Sequence, residues 1–131
     1  MKRHNPNTVW PVPAAFENIY AHAVEVPATS KLLLVSGQIG VAPDDTVSSR
    51  FEEQCAQAMA NVEELLAAAG LATHDILRAN YFVTSTEFLA PLTEIRRARW
   101  RNPEAPAVTT LVVAALARPD LLIEIEVTAG C

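Results

Sequence analysis

The stretch Ser49-Arg50-Phe51-Glu52-Glu53-Gln54-Cys55-Ala56-Gln57-Ala58-Met59-Ala60-Asn61-Val62-Glu63-Glu64-Leu65-Leu66-Ala67-Ala68-Ala69-Gly70 decides the reading of the fold. Ser49 followed by Glu52 at the third position is a capping-box pattern, in which both side chains satisfy free backbone N–H groups, and it predicts a helix start. Phe51, Cys55, Ala58, Val62, Leu65 and Ala69 recur at alternating spacings of four and three. They therefore line one apolar stripe, with Glu53, Gln57 and Glu64 on the other side. Gly70 supplies the left-handed stop that only glycine adopts cheaply. A helix with one apolar stripe must bury it against another layer, so the neighbouring segments are expected to provide a sheet.

Upstream, Ile19 to Val26 alternates loosely, and Lys31 to Ile39 is a short apolar run bounded by turn residues. These read as two strands of a hairpin, followed by a turn at Pro43-Asp44-Asp45. Residues 1 to about 15 read as an irregular arm with Trp10 as its only large apolar anchor. Downstream, Ile76 to Val83 reads as a strand, and a second helix begins near Phe88, with Pro91 tolerated in its first turn. Arg96, Arg97, Arg99 and Arg101 collect towards its end and are expected on a solvated face, complementing the negative helix C-terminus, with an anion or nucleic-acid patch as the alternative. Val108 to Leu116 and Leu121 to Thr128 read as closing strands.

The element order ββαβαββ predicts an α+β fold: a single sheet with both helices packed on one face. In the last strand Ile123, Ile125 and Val127 share one side, while Leu122, Glu124 and Glu126 share the other. Strand five sets Val108, Thr110 and Val112 against Thr109, Leu111 and Val113. A sheet this apolar on both faces is more easily stabilised by oligomerisation than left bare.

With 131 residues, half of them apolar, the chain is long enough to bury a core as a single domain spanning 1–131. A net charge of -5 offers no basic field for a phosphate backbone, so nucleic acid is not an expected partner. Cys55 sits on the helix stripe and is expected to be inert, and Cys131 is terminal, so no structural disulfide is expected. Pro11 and Pro13 break the N-terminal run before it reaches signal-peptide length, and no stretch approaches the roughly 20 apolar residues of a spanning helix. A cytoplasmic, reducing setting without a membrane partner is expected. His4 and His74 lie in a tail and a loop, with no metal-ligand spacing.

Three segments resemble the RidA/YjgF family, also called the endoribonuclease L-PSP family. They are Val35-Ser36-Gly37-Gln38-Ile39 with Pro43, the capped helix through Gly70 into Asp75-Ile76-Leu77, and Ile123-Glu124-Ile125-Glu126, joined by Pro106-Ala107 before strand five. The resemblance implies a chorismate-mutase-like fold, a homotrimer and three clefts between subunits. It also implies hydrolysis of an enamine or imine to a keto acid and ammonia without metal or organic cofactor. The family's water-positioning glutamate falls on Glu124, its strand-two serine on Ser36 beside Gly37, and its strand-one tyrosine on Tyr20, at a different spacing. Its carboxylate-binding arginine falls on Val108, and Thr110 stands where many relatives carry cysteine.

The resemblance thus implies a deaminase-like hydrolase acting on C=N bonds, with Glu124 catalytic and Ser36, Gly37, Tyr20, Val108 and Thr110 binding substrate. An isopropyl group cannot pair with an anion, so altered substrate choice is expected. Arg118, nearest in sequence though its proline-flanked position suggests a surface turn, and His22, inside a predicted strand, are the candidates to replace the missing group. A partly buried structural role is the plainer reading of His22. The competing reading is a non-catalytic trimer that binds a small metabolite in the same clefts, which the apolar Val108 would suit.

Overall fold

The computed structural model describes residues 1–131. Its main sheet has four strands in the order β3-β6-β4-β5: β3 Leu32–Ile39, β6 Ile123–Gly130, β4 Ile76–Val83 and β5 Ala107–Val112. β4 and β5 run parallel, linked by the crossover helix α2 (Leu89–Arg99), and the other pairings are antiparallel. Helix α1, Phe51–Ala68, joins β3 to β4. Outside this sheet, β1 (Lys2–His4) and β2 (Ala23–Glu25) form a small antiparallel ribbon.

That ribbon corrects two expectations. The N-terminal arm is not wholly irregular, because Lys2–His4 pair with Ala23–Glu25, and Arg3 donates to the carbonyls of Ala105 and Glu104 at 3.0 and 2.7 Å. Nor do the first two expected strands form a hairpin. Ala21 is bridged to Ala107 at the β5 edge, with its N–H donating to Pro106 O at 2.7 Å. The segment is thereby held at the edge opposite β3, and the order becomes βββαβαββ. β5 also ends earlier than expected and β6 runs to Gly130.

Helix α1 starts one residue later than the Ser49 cap implies. Arg50 occupies the N-cap without a side-chain bond, and Ser48 Oγ instead accepts from Arg50 N–H and donates to Glu53. At the other end Gly70 has φ 73°, the left-handed stop expected of it. The buried stripe runs through Phe51, Cys55, Ala58, Met59, Val62 and Leu66. Leu65, expected inside, is exposed, because a step of four from Val62 keeps phase with the helical repeat on the face α1 turns to β3 and β6. Burial pushes the Cys55 thiol up to about 12, consistent with an inert side chain.

The core is one cluster of 18 buried residues, in which α1, Leu92 and Trp100 cover Ala79, Tyr81 and Val83 of β4 and Ile123, Ile125 and Val127 of β6. As the alternation predicted, Glu124 and Glu126 fall on the opposite face. That face is left open: Leu34 is 77% exposed, and Leu111 is exposed beside Phe82. Replacing a fully buried side chain such as Met59 or Leu66 by alanine would cost about 2–5 kcal/mol. No helix is long and apolar enough to cross a membrane.

Candidate functional site

Two clusters contain the residues singled out from the sequence, one on each face of the sheet. On the open face, the register between β3 and β6 slips: Val35 pairs with Val127 and Gln38 with Ile125. Ser36 and Gly37 therefore both oppose Glu126, a bulge that sets one extra residue into the strand. A Cβ on Gly37 would lie 2.1 Å from Glu124 Oε1, so only glycine lets that carboxylate rest against the backbone. Glu126 accepts from Asn80 Nδ2 at 2.8 Å, whereas Glu124 makes no such bond within the chain. Asn80 Oδ1 is buried without a partner. Ser36 is exposed, its carbonyl accepts from Gln38 Nε2 at 3.0 Å, and its hydroxyl is free to bond elsewhere.

On the helix side, Val108 lies beside Ala79 and Thr110 beside Tyr81, at the β5 edge. With Trp10, Pro13, Phe16, Tyr20 and Arg96 they line an open cavity of about 300 Å³. The arm over this cavity is moored from several points. His22 Nε2 donates to Trp10 O, which leaves Nδ1 as the acceptor facing Tyr20 OH at 3.5 Å. Asn5 Oδ1 accepts from His22 N–H, and Arg97 donates to Ala15 O. His22 is thus a fastener of the arm, and its ring meets Tyr20 edge-on at 5.3 Å.

Arg96 departs most from expectation. It is 3% exposed rather than solvated, its Cζ lies 4.6 Å from the centre of the Tyr81 ring, and Nη2 donates to Ile19 O at 2.9 Å. Burial pushes the Tyr81 phenol up to about 12, so it stays neutral beneath the guanidinium. The sequence carried the signal: Leu92, Arg96 and Trp100 recur at steps of four, and all three are buried. Arg118, the candidate nearest in sequence, lies exposed in the surface turn its proline-flanked position suggested, bound bidentately by exposed Asp120 at 2.8 and 3.1 Å. Its hydrogen bonds to Asp120 hold that carboxyl below the usual range.

The six residues therefore do not converge within one chain. Glu124, Gly37 and Ser36 gather on the open face, and Tyr20, Val108 and Thr110 line the cavity on the helix side. Chemically, the first cluster offers a free carboxylate and a hydroxyl, and the second an aromatic pocket with one buried cation.

Comparison with known proteins agrees with this architecture. Residues 12–131 match the family described as endoribonuclease L-PSP. A RutC family protein of Aquifex aeolicus is 32% identical over 84% of this chain and 86% of its own. A 2-iminobutanoate/2-iminopropanoate deaminase of Dermatophagoides farinae is 27% identical over 93% of this chain and 94% of its own. The crystal structure of YyfB from Yersinia pestis, a protein of unknown function in the Rid family, superposes with a TM-score of 0.85 at 31% identity. That superposition covers 98% of this chain and 96% of that one. The sequence motifs, the two-helix mixed sheet and these likenesses agree, and the chain belongs to the endoribonuclease L-PSP family, the RidA/YjgF proteins.

Proposed function

We propose that this protein is a cofactor-independent hydrolase of small imines or enamines, acting in clefts formed where copies of the chain meet as a homotrimer. The observation that carries the reading is the Glu124 carboxylate, resting on Gly37 with no partner in its own chain. The name of the Dermatophagoides relative, an imine deaminase, supports the reaction class. The open sheet face with exposed Leu34 and Leu111 supports association, because apolar surface of that kind is stabilised by a second copy. Association also offers a way for the carboxylate of one copy to approach the cavity of the next.

The chemistry asks little of the protein. Glu124 accepts a proton from water as the oxygen adds to the C=N carbon, and the nitrogen takes up a proton from solvent. Glu124 then gives its proton to the amine nitrogen, the C–N bond breaks to release ammonia, and the hydroxyl loses its proton to solvent, which leaves the carbon as a ketone. Ser36, Tyr20 and Thr110 orient the substrate by hydrogen bonds. Val108, standing where the family arginine falls, alters which substrates are held.

Ammonia release from 2-iminopropanoate generated in situ tests the reading, alongside light scattering. The expected particle has three times the 14.2 kDa chain mass. Turnover should fall about a hundredfold in Glu124→Gln and at least tenfold in Gly37→Ala, whose methyl displaces the carboxylate. Val108→Arg should improve turnover of this carboxylate substrate. A monomer, or absence of turnover with any imine tried, would sink the proposal. A metabolite bound and recovered unchanged would favour the non-catalytic binding trimer.

A further inference from the structure

Arg96 is the only buried charged side chain in the molecule, and no carboxylate pairs with it. Its neighbours on α2 fare otherwise: Arg97 is paired with Glu94 at 2.7 Å and Arg99 with Glu63 at 2.7 Å. A guanidinium has five N–H donors, and Arg96 gives one of them to the carbonyl of Ile19. The Tyr81 face compensates part of the remaining cost. Burying a cation without an anion is unfavourable, so an anion that entered the cavity beside it would be favoured.

The cavity says what else the ligand carries. Arg96 stands in one wall, and Trp10, Phe16, Tyr20 and Val108 supply rings and an isopropyl group around it. Thr110 adds one hydroxyl. Aromatic walls of this kind hold planar or branched apolar groups, and at about 300 Å³ the space suits a ligand of roughly a dozen heavy atoms.

We propose that Arg96 is the anion-holding residue of this cavity, and that the ligand is a small carboxylate with an aromatic or branched apolar body. The carboxylate accepts from guanidinium nitrogens that Ile19 leaves free, and the body packs between the aromatic arm and Val108. Val108 thereby becomes part of the apolar wall, and the cation it lacks comes from another element at a different depth. Where the hydrolase reading holds, the inference names its substrates as 2-imino or 2-enamino acids with bulky apolar side chains. The binding claim itself stands on Arg96 alone.

The test compares 3-phenylpropanoate with the neutral 3-phenylpropanamide by calorimetry and by quenching of tryptophan fluorescence in the intact protein and in Trp100→Phe, which leaves Trp10 as the single tryptophan. The acid should bind at least about tenfold more tightly, and Arg96→Met, checked for a native circular dichroism spectrum, should remove that preference. Thr110→Glu, which sets a carboxylate on the same wall, should abolish acid binding and melt at a higher temperature than Thr110→Gln. This second pair decides the matter even where Arg96→Met does not fold. Equal binding of acid and amide, or a Thr110→Glu variant no more stable than Thr110→Gln, overturns the proposal. Acid-selective binding without imine turnover would leave the Arg96 site standing and sink the hydrolase reading; turnover without acid selectivity would do the reverse.

Discussion

Gln54 and Arg96 are the two buried polar side chains of this protein, and they are treated in opposite ways. Gln54, near the start of α1, donates to Ser48 O and Asp120 O and accepts from Leu122 N–H, all at 2.8 Å. Both its N–H donors are used, and it ties the head of the helix to the turn before β6. A Cβ on Gly40 would lie 2.6 Å from the Gln54 backbone, so the region has no slack. Arg96, near the end of α2, gives one hydrogen bond to a backbone carbonyl, lies against the Tyr81 ring and hydroxyl, and has a cavity beside it. A buried polar group with its donors spent acts as a clasp, whereas one with donors to spare on a cavity wall is a place for a ligand.

Gln54→Leu should break this contrast hardest. It strands two carbonyls and one N–H in the interior, and the loss should be about 3 kcal/mol or more in a denaturation midpoint, with acid binding per folded molecule unchanged. A loss below about 1 kcal/mol would show that the network around Gln54 is not a clasp.

Between the two lies Glu63, which clamps α1 to α2 by accepting from Arg99 at 2.7 and 2.9 Å and from Trp100 Nε1 at 2.8 Å. The hydrogen bond from Arg99 holds the Glu63 carboxyl below its usual value of 4.5. The folded state therefore binds this proton less readily than the unfolded chain does. The stabilisation is fully present above the ordinary carboxyl value and is lost as pH falls through the lowered one. Glu63→Gln should cost about 1 kcal/mol near neutrality, and its melting temperature should converge on that of the parent in acid. A gap that persists unchanged in acid would mean that packing, not charge, holds the clamp.

The smallest stability change belongs to Arg96→Met. One hydrogen bond and the contact with the Tyr81 face are lost, while the expense of a buried cation disappears, so the net should lie within about 1 kcal/mol. A destabilisation as large as that of Gln54→Leu would make Arg96 a second clasp and erase the comparison.

Much of the fold was legible because periodicity is local. The α1 stripe, the Gly70 stop and the bounds of β4 at Ile76–Val83 follow from spacing along the chain. So does the turning of Glu124 and Glu126 away from Ile123 and Ile125. The family resemblance was carried by the same local motifs. The β1–β2 ribbon was not legible, since a strand's partner depends on which edge its neighbours leave free, and Ala21 finds that edge at β5 through Pro106. The bulge that brings Ser36 and Gly37 together against Glu126 likewise exists only in the pairing. The burial of Arg96 was not legible because four arginines near a helix end look like dipole complements; its one local sign is the step of four linking Leu92, Arg96 and Trp100.

By itself, then, the sequence determined where the two helices and the strands of the main sheet lie and which side of β6 faces the interior, because 3.6-residue and two-residue repeats are properties of the chain alone. It also puts Val108 at the position where the family resemblance implies an arginine. Only the tertiary structure decided which polar groups share a space. It separated Glu124 from Val108 by the thickness of the sheet and carried Arg96, twelve residues before Val108, to the cavity that Val108 lines. Charge meets cavity through the packing of α2 against β4 and the N-terminal arm, and such long-range contacts have no period in the sequence from which to read them.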